Sequence, residues 1–173
     1  QPSLLARGEN YEVHAVRWPV LEGVYGEGLL LRPSIPPKAF IVAVGDCPWT
    51  PEMLAGLAEG LPPEAQYARR LAESGCLILI PVILDRQCTY SGNPGVRMTN
   101  QPHREFVYRA AYEMGRHVIG YEVHKILAAV DWFRTHNKSP VGVVGAGEGG
   151  LLALYAAAAD TRIDAAAVSG YFG

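Results

Sequence analysis

The stretch Pro140 to Leu152, PVGVVGAGEGGLL, constrains the fold most. Val141 to Val144 is a short apolar strand, Gly145 to Gly150 a glycine-rich turn, and Leu151 to Ala159 an Ala/Leu-rich helix. A strand that turns sharply into a helix belongs to alternating β and α units, and such units build a mostly parallel sheet with helices on both faces. Ligands bind such sheets at the carboxyl ends of the strands. The acidic and glycine residues of this turn therefore lie where chemistry is expected.

The rest of the chain fits that architecture. Tyr11 to Trp18 alternates imperfectly and reads as an edge strand limited by Pro19, which lacks a ladder donor. Gly23 to Arg32 reads as a second strand. Ala39 to Val44 and Cys76 to Ile83 are continuous apolar runs, the signature of strands covered on both faces. Thr50-Pro51-Glu52 is a helix start, with proline at the first helical position, and the helix is expected to run to Gly60. A second helix is expected from Pro62 to Glu73, with Gly75 as its cap. Asp85 to Arg109 is polar and irregular, and a loop of that length in a compact domain is more often functional than idle. From Tyr112 to His136 the spacing of Ile119, Val123, Ile126, Leu127, Val130 and Phe133 predicts one long helix with a single core stripe. Ile163 to Val168 is the last strand.

Composition excludes several classes. Hydrophobic residues make up 49% and charged residues 18%, too apolar for a disordered tail. The net charge of -2 carries no nucleic-acid footprint. No apolar run approaches the roughly 20 residues of a membrane span. Cys47, Cys76 and Cys88 are an odd count without metal-ligand spacing, so neither a disulfide framework nor a cysteine metal site is expected. The chain begins at Gln1 without Met, which suggests trimming.

With these elements in place, the chain resembles the α/β-hydrolases, and within them the bacterial acetyl-xylan-esterase-like and dienelactone-hydrolase-like branch. The resemblance covers nearly the whole chain. It is carried by Gly115 to Phe133 (GRHVIGYEVHKILAAVDWF), by the turn within Val141 to Ala158, and by Ile163 to Gly170. It implies an α/β-hydrolase fold over residues 1–173, a single domain that reaches one strand past the nucleophile elbow and is expected to be incomplete at its C-terminus. It implies a small-molecule or carbohydrate ester ligand, no cofactor, and an exported or periplasmic location. The family's G-x-S-x-G frame reads here Gly145-Ala146-Gly147-Glu148-Gly149, so Gly147 stands at the nucleophile position without a side chain. The family's acid and His follow the elbow in the chain. They are expected after Gly173, either in the same protein or in a separate chain that completes it.

Three acids follow predicted buried strands: Asp46, Asp85 and Glu148. Carboxylates on one rim can divide acid and base work. They can equally make local hydrogen bonds at turns and helix starts. Glu148 and Asp46 are the candidate catalytic residues. In the elbow the backbone N–H after the nucleophile helps form the oxyanion hole, so the Glu148 side chain is expected to point away from it. His103, Arg104 and Arg116, with Asp85, are the candidate substrate-binding residues. The bland alternative pairs Arg104 or Arg116 with Glu113 or Asp131. Gly145, Gly147 and Gly149 are also compatible with an anion-binding turn, but no G-K-[ST] follows them. Ser91 and Ser169 are weak replacement nucleophiles, since neither sits in an elbow. His14, His117, His124 and His136 show no ligand-like grouping. The rim carboxylates are compatible with a hard cation, although nothing in their spacing demands one. Three functional readings remain: a divergent hydrolase using a carboxylate-activated water, a non-catalytic relative binding a carbohydrate, acyl ligand or protein partner, and a serine esterase whose nucleophile has been substituted.

Overall fold

A computed structural model describes residues 3–89, 95, 98–136 and 138–171, without the side chain of residue 136. Seven strands form one sheet in the order β1-β2-β3-β5-β4-β6-β7. They are β1 (Ser3–Arg7), β2 (Tyr11–Leu21), β3 (Val24–Pro33), β4 (Phe40–Val44), β5 (Leu77–Pro81), β6 (Val141–Ala146) and β7 (Ala165–Ser169). The sheet is mixed. β5, β4, β6 and β7 pair in parallel, while β1, β2 and β3 form an antiparallel meander whose last strand pairs antiparallel with β5. This is the α/β architecture expected from the sequence.

Both faces of the central strands are covered, which explains their unbroken apolar runs. On one face Phe40, Val42, Val44, Leu77, Leu79, Val141 and Val143 pack under α4 (Val118–His136) and α5 (Glu148–Ala159), with Ile126, Val130, Phe133 and Leu152 as the largest contributors from the helices. On the other face Val13, Leu29, Leu31, Ala43, Ile78 and Ile80 pack under α1 (Pro51–Leu54) and α2 (Tyr67–Glu73) through Leu54, Ala55, Ala68 and Ala72. Neighbouring residues of β4 and β5 thus serve opposite layers, the period-2 geometry of a strand.

Four local expectations are corrected. β2 is not an edge, because β1 pairs with it along Glu12–Ala15 and β3 along its length. It runs through Pro19, where β1 no longer flanks it, so the missing N–H breaks no ladder on that side. The helix expected to reach Gly60 closes after one turn, although Thr50 caps it as predicted by accepting the Met53 N–H at 3.3 Å. The polar stretch after β5 ends at Pro102, so His103 and Arg104 stand on α3 (His103–Glu113) rather than in a loop. The long helix is two helices, α3 and α4, separated at Gly115, whose φ of 71° takes the chain out of helical conformation.

Asp164 ties the start of β6. It accepts the Val141 N–H at 2.7 Å and pairs with Arg134 at 2.6 Å, and both contacts hold its carboxyl below the usual range. Such a carboxylate stabilises the fold above its unfolded pKa of about 3.9, and the contribution fades as pH falls toward its lower folded value. Asp164→Asn is expected to remove this component, so thermal unfolding at stepped pH should fall less steeply below about pH 4 than in the native chain. In the core, Phe133 is 1% exposed and meets the Phe40 ring edge-on at a centroid distance of 5.2 Å. Phe133→Ala should cost about 3–5 kcal/mol in urea unfolding.

Candidate functional site

The turn after β6 is built by backbone contact. A Cβ on Gly145 would lie 2.1 Å from the Gly149 carbonyl oxygen, and one on Gly149 would lie 2.2 Å from the Val44 carbonyl oxygen. Only glycine lets the first turn of α5 sit this close to the ends of β4 and β6. At the apex Gly147 has φ 55° and ψ -123°, and its N–H donates to the Ser169 carbonyl at 2.8 Å. The apex therefore projects above the carboxyl ends of the parallel strands and carries no side chain.

Asp46, just past β4, occupies the space beside it. Its Oδ1 accepts the N–H of Cys47 and the N–H of Glu148, each at 2.9 Å. A Cβ placed on Gly147 would lie 2.4 Å from the Asp46 Cγ. The carboxylate thus stands where a side chain at the apex would begin. No described residue donates a hydrogen bond to its Oδ2.

Glu148 turns its side chain elsewhere. Oε1 pairs with Arg104 and Oε2 lies 2.9 Å from Arg86 Nη2. The Glu148 side chain is 10% exposed, Arg104 12% and Arg86 68%, so one guanidinium is a buried partner and the other reaches in from the surface. Arg104 also donates to the Leu84 carbonyl at 3.1 Å, which the Cys47 thiol approaches at 3.3 Å. Burial first, and then the Glu148 charge, pushes the Cys47 thiol above its ordinary pKa. It is a thiol that donates rather than an activated nucleophile. Leu84 is itself anchored from α4, where the buried Glu122 accepts its N–H at 2.9 Å and pairs with Lys125 at 2.9 Å. Beneath β4, Tyr67 donates to the Val44 carbonyl at 2.6 Å, and burial pushes its phenol well above the ordinary range.

A pocket of about 720 Å³ opens above these groups. Asp46, Gly147 and Glu148 form its floor with Arg86 and Arg104, and Tyr108, His117, Val118, Ile119, Leu151 and Tyr171 supply walls. The structure therefore brings together Asp46, Gly147, Glu148 and Arg104 from the sequence-based candidates. Asp85 and His103 pair with each other at 3.0 Å next to the pocket without lining it. Arg116 is exposed and lines a second depression with Glu22 and Tyr121, which meets the site pocket at His117. The alternative pairing for Arg104 is not the one observed, since Glu148 is its partner, and Asp131 pairs instead with Arg162 at 2.6 Å. Ser169 is exposed at the end of β7, and Ser91 lies outside the described residues.

Sequence reasoning missed Arg86, Tyr108 and His117. Tyr108 packs edge-on against His117 at 5.3 Å, across the break between α3 and α4. Had Gly115-Arg116 been read as a helix end, the two rings would have been expected at one corner. Among the described residues no cluster of His, Cys, Asp and Glu could hold a metal ion, and no helix is long and apolar enough to cross a membrane.

A family model described as "Dienelactone hydrolase family" matches residues 57–173. No curated protein sequence matches the chain. Among solved structures, a Bacteroides fragilis NCTC 9343 protein assigned as an acetyl xylan esterase aligns with TM-score 0.71 and 20% identity, covering 96% of this chain and 47% of that one. A cold-adapted esterase from an Arctic intertidal metagenomic library aligns with TM-score 0.60 and 18% identity, covering 97% and 62%. A dienelactone hydrolase from Anabaena variabilis ATCC 29413 aligns with TM-score 0.53 and 24% identity, covering 93% and 63%. The chain thus spans between 47% and 63% of the length of these three proteins.

The geometry predicts a coupling between Gly147 and Asp46. Gly147→Ser forces a Cβ onto a strained backbone and into the Asp46 carboxylate, and should cost about 1–3 kcal/mol in urea unfolding. In the Asp46→Ala background the same change should cost less, with a coupling energy of about 0.5–3 kcal/mol in the double-mutant cycle.

Proposed function

The chain belongs to the dienelactone hydrolase family, and we propose that it forms an esterase-like pocket that binds a small carbohydrate or acyl ester without making an acyl-enzyme at the elbow. The family supports a hydrolase- or esterase-like function in general terms. The observation that carries the finer reading is the Asp46 carboxylate beside the bare apex of Gly147.

Acyl transfer at an elbow needs two things: a nucleophile at the apex and free N–H donors for the oxygen that becomes negative in the transition state. Gly147 offers no nucleophile. The Cys47 and Glu148 N–H groups already bond to Asp46. One such donor is worth about 3 kcal/mol of transition-state stabilisation, so committing both removes most of the electrostatic benefit of the site. Glu148, a candidate base from its position, has its carboxylate ion-paired with Arg104 and Arg86. The concave pocket does not depend on any of these groups reacting. Glu148 on its floor is ion-paired with Arg104 and Arg86, and its walls include Tyr108, Ile119 and Leu151, which suits a ligand with an apolar or ring face.

A second reading keeps catalysis and rests on Asp46 Oδ2, to which no described residue donates. In it Oδ2 takes a proton from water as the water oxygen adds to the ester carbonyl carbon, and the alcohol leaves with that proton.

Hydrolysis of p-nitrophenyl acetate by the native chain, alongside Glu148→Gln and Asp46→Asn, tests both. The binding reading expects no burst, no turnover above buffer in any of the three, and saturable heat with acetylated xylo-oligosaccharides in calorimetry. Native turnover that disappears in Asp46→Asn establishes the second reading instead. Absence of both turnover and binding overturns the pocket assignment.

A further inference from the structure

The depression that holds Arg116 is a cavity of about 640 Å³, and it joins the main pocket at His117, which lines both. One wall is the β2–β3 hairpin, through Leu21, Glu22 and Val24, and the other is the start of α4. The walls are tied together, since the Trp18 indole on β2 donates to the Lys125 carbonyl on α4 at 3.2 Å. His117, Tyr121 and His124 follow at steps of four and three, so they share one helix face and span about 10 Å along it. All three line the depression.

Backbone contacts fix what the two imidazoles offer. His117 stands just before α4, and its Nδ1 accepts the Ile119 N–H at 3.1 Å. A ring nitrogen that accepts carries no proton, so the neutral His117 ring is a donor at Nε2. His124 is set the other way. Its Nδ1 lies 2.7 Å from the Gly120 carbonyl oxygen, which can only accept, so Nδ1 holds the proton and Nε2 of the neutral ring is an acceptor. Among the described residues neither Nε2 nor the Tyr121 hydroxyl between them has a partner.

We propose that this depression is a saccharide-binding subsite continuous with the main pocket, and that the ligand is a short chain of sugar units with its ester in the main pocket and a further unit across His117. This rests on the reading that the main pocket takes a carbohydrate ester, and it names the ligand as an oligosaccharide.

Three features support it. First, the row on α4 reads donor at His117, donor and acceptor at Tyr121, acceptor at His124. Sugar hydroxyls donate and accept at once, and such a row satisfies several of them together. Second, Glu22 and Arg116 bring opposite charges to the depression, which favours a neutral polar ligand over an anion or a cation. Third, the path is open and ring-lined. Tyr108 meets His117 edge-on at 5.3 Å, so aromatic surface runs from the main pocket to the junction, and a Cβ on Gly120 would meet no atom within 4 Å.

The test titrates the ¹⁵N-labelled chain with unacetylated xylotriose in mildly alkaline buffer. It reads the amides of Gly120 and Tyr121 and the imidazole nitrogens of His117 and His124. Before ligand, the ring nitrogens should report a proton on Nε2 of His117 and on Nδ1 of His124. Xylotriose should shift all of these signals saturably, and glycerol at matched hydroxyl concentration should not. His124→Phe removes the acceptor and keeps a ring. His117→Asp keeps an acceptor for the Ile119 N–H and removes the ring donor. Each should weaken binding about fivefold, the worth of one neutral hydrogen bond. Gly120→Leu, which fills the depression from the helix, should abolish it. The proposal is overturned by the reverse proton positions, by no saturable shift in the native chain, by glycerol giving the same shifts, or by unchanged binding in variants that keep the native amide spectrum. A variant that loses that spectrum leaves the native titration to decide. Failure of the subsite is separable from failure of the pocket reading. Acetylated xylotriose that shifts the Leu151 amide but not Gly120 and Tyr121 refutes only the subsite. Unacetylated xylotriose that shifts Gly120 and Tyr121, with no Leu151 shift from the acetylated form, refutes only the ester assignment of the main pocket.

Discussion

The close approach of α5 to the end of β4 is the contact on which the rest of the site depends. Gly149 lies against the carbonyls of Val44 and Gly45 with no room for a Cβ, and Gly145 lies against Gly149 in the same way. Those contacts bring the first N–H of the helix within reach of a residue on the neighbouring strand. A helix set back by a side chain would leave Asp46 and Glu148 too far apart to bond. The central position of β4, between β5 and β6, then fixes the direction from which Asp46 enters. The site is thus a consequence of backbone packing, and its side chains are placed by it.

That dependence explains how much of the molecule was legible in the sequence. Phe40 to Val44 and Leu77 to Pro81 could be read because burial on both faces leaves an unbroken apolar run. The strand–turn–helix at Gly147 could be read because its glycines have a steric reason to be there. Arg104 was assigned to a loop because Asp85 to Arg109 is polar throughout, although the chain enters α3 at His103, and the break at Gly115 was passed over because the apolar stripe from Ile119 onward was extended back to Tyr112. Strand β1 was missed because Ser3 to Arg7 lies at the edge of the sheet and shows only weak burial. The pairing of Asp46 with the Glu148 N–H could not be read at all. It joins a side chain to a backbone group 102 residues away, and neither periodicity nor composition records such a meeting. Asp46 and Glu148 meet beside the apex while Asp85 pairs with His103 next to the pocket, and position alone did not reveal that one acid is held by amides and another by arginines.

The two carboxylates nearest the apex illustrate how environment divides similar groups. Asp46 is held by neutral backbone donors and keeps one oxygen toward the pocket. Glu148 is held by two cations, one of them buried. Removing either arginine would change the balance, since the Glu148 charge is compensated by side chains and the Asp46 charge by dipoles. The floor of the pocket is therefore polar in composition but nearly settled in its pairings, which leaves the aromatic and aliphatic walls to distinguish one ligand from another.

The anchoring of Leu84 by Glu122 has a consequence for how such a protein can diversify. The carbonyl that receives Arg104 and the Cys47 thiol is fixed from α4, and Asp85 and Gln87 are tied to His103 at the start of α3. Chain inserted or deleted between Cys88 and Pro102 would hang from two fixed posts, and lengthening a closed loop costs only about 0.6 kcal/mol per doubling. Descendants of this chain can therefore change the length of that segment while the pocket floor is inherited unchanged.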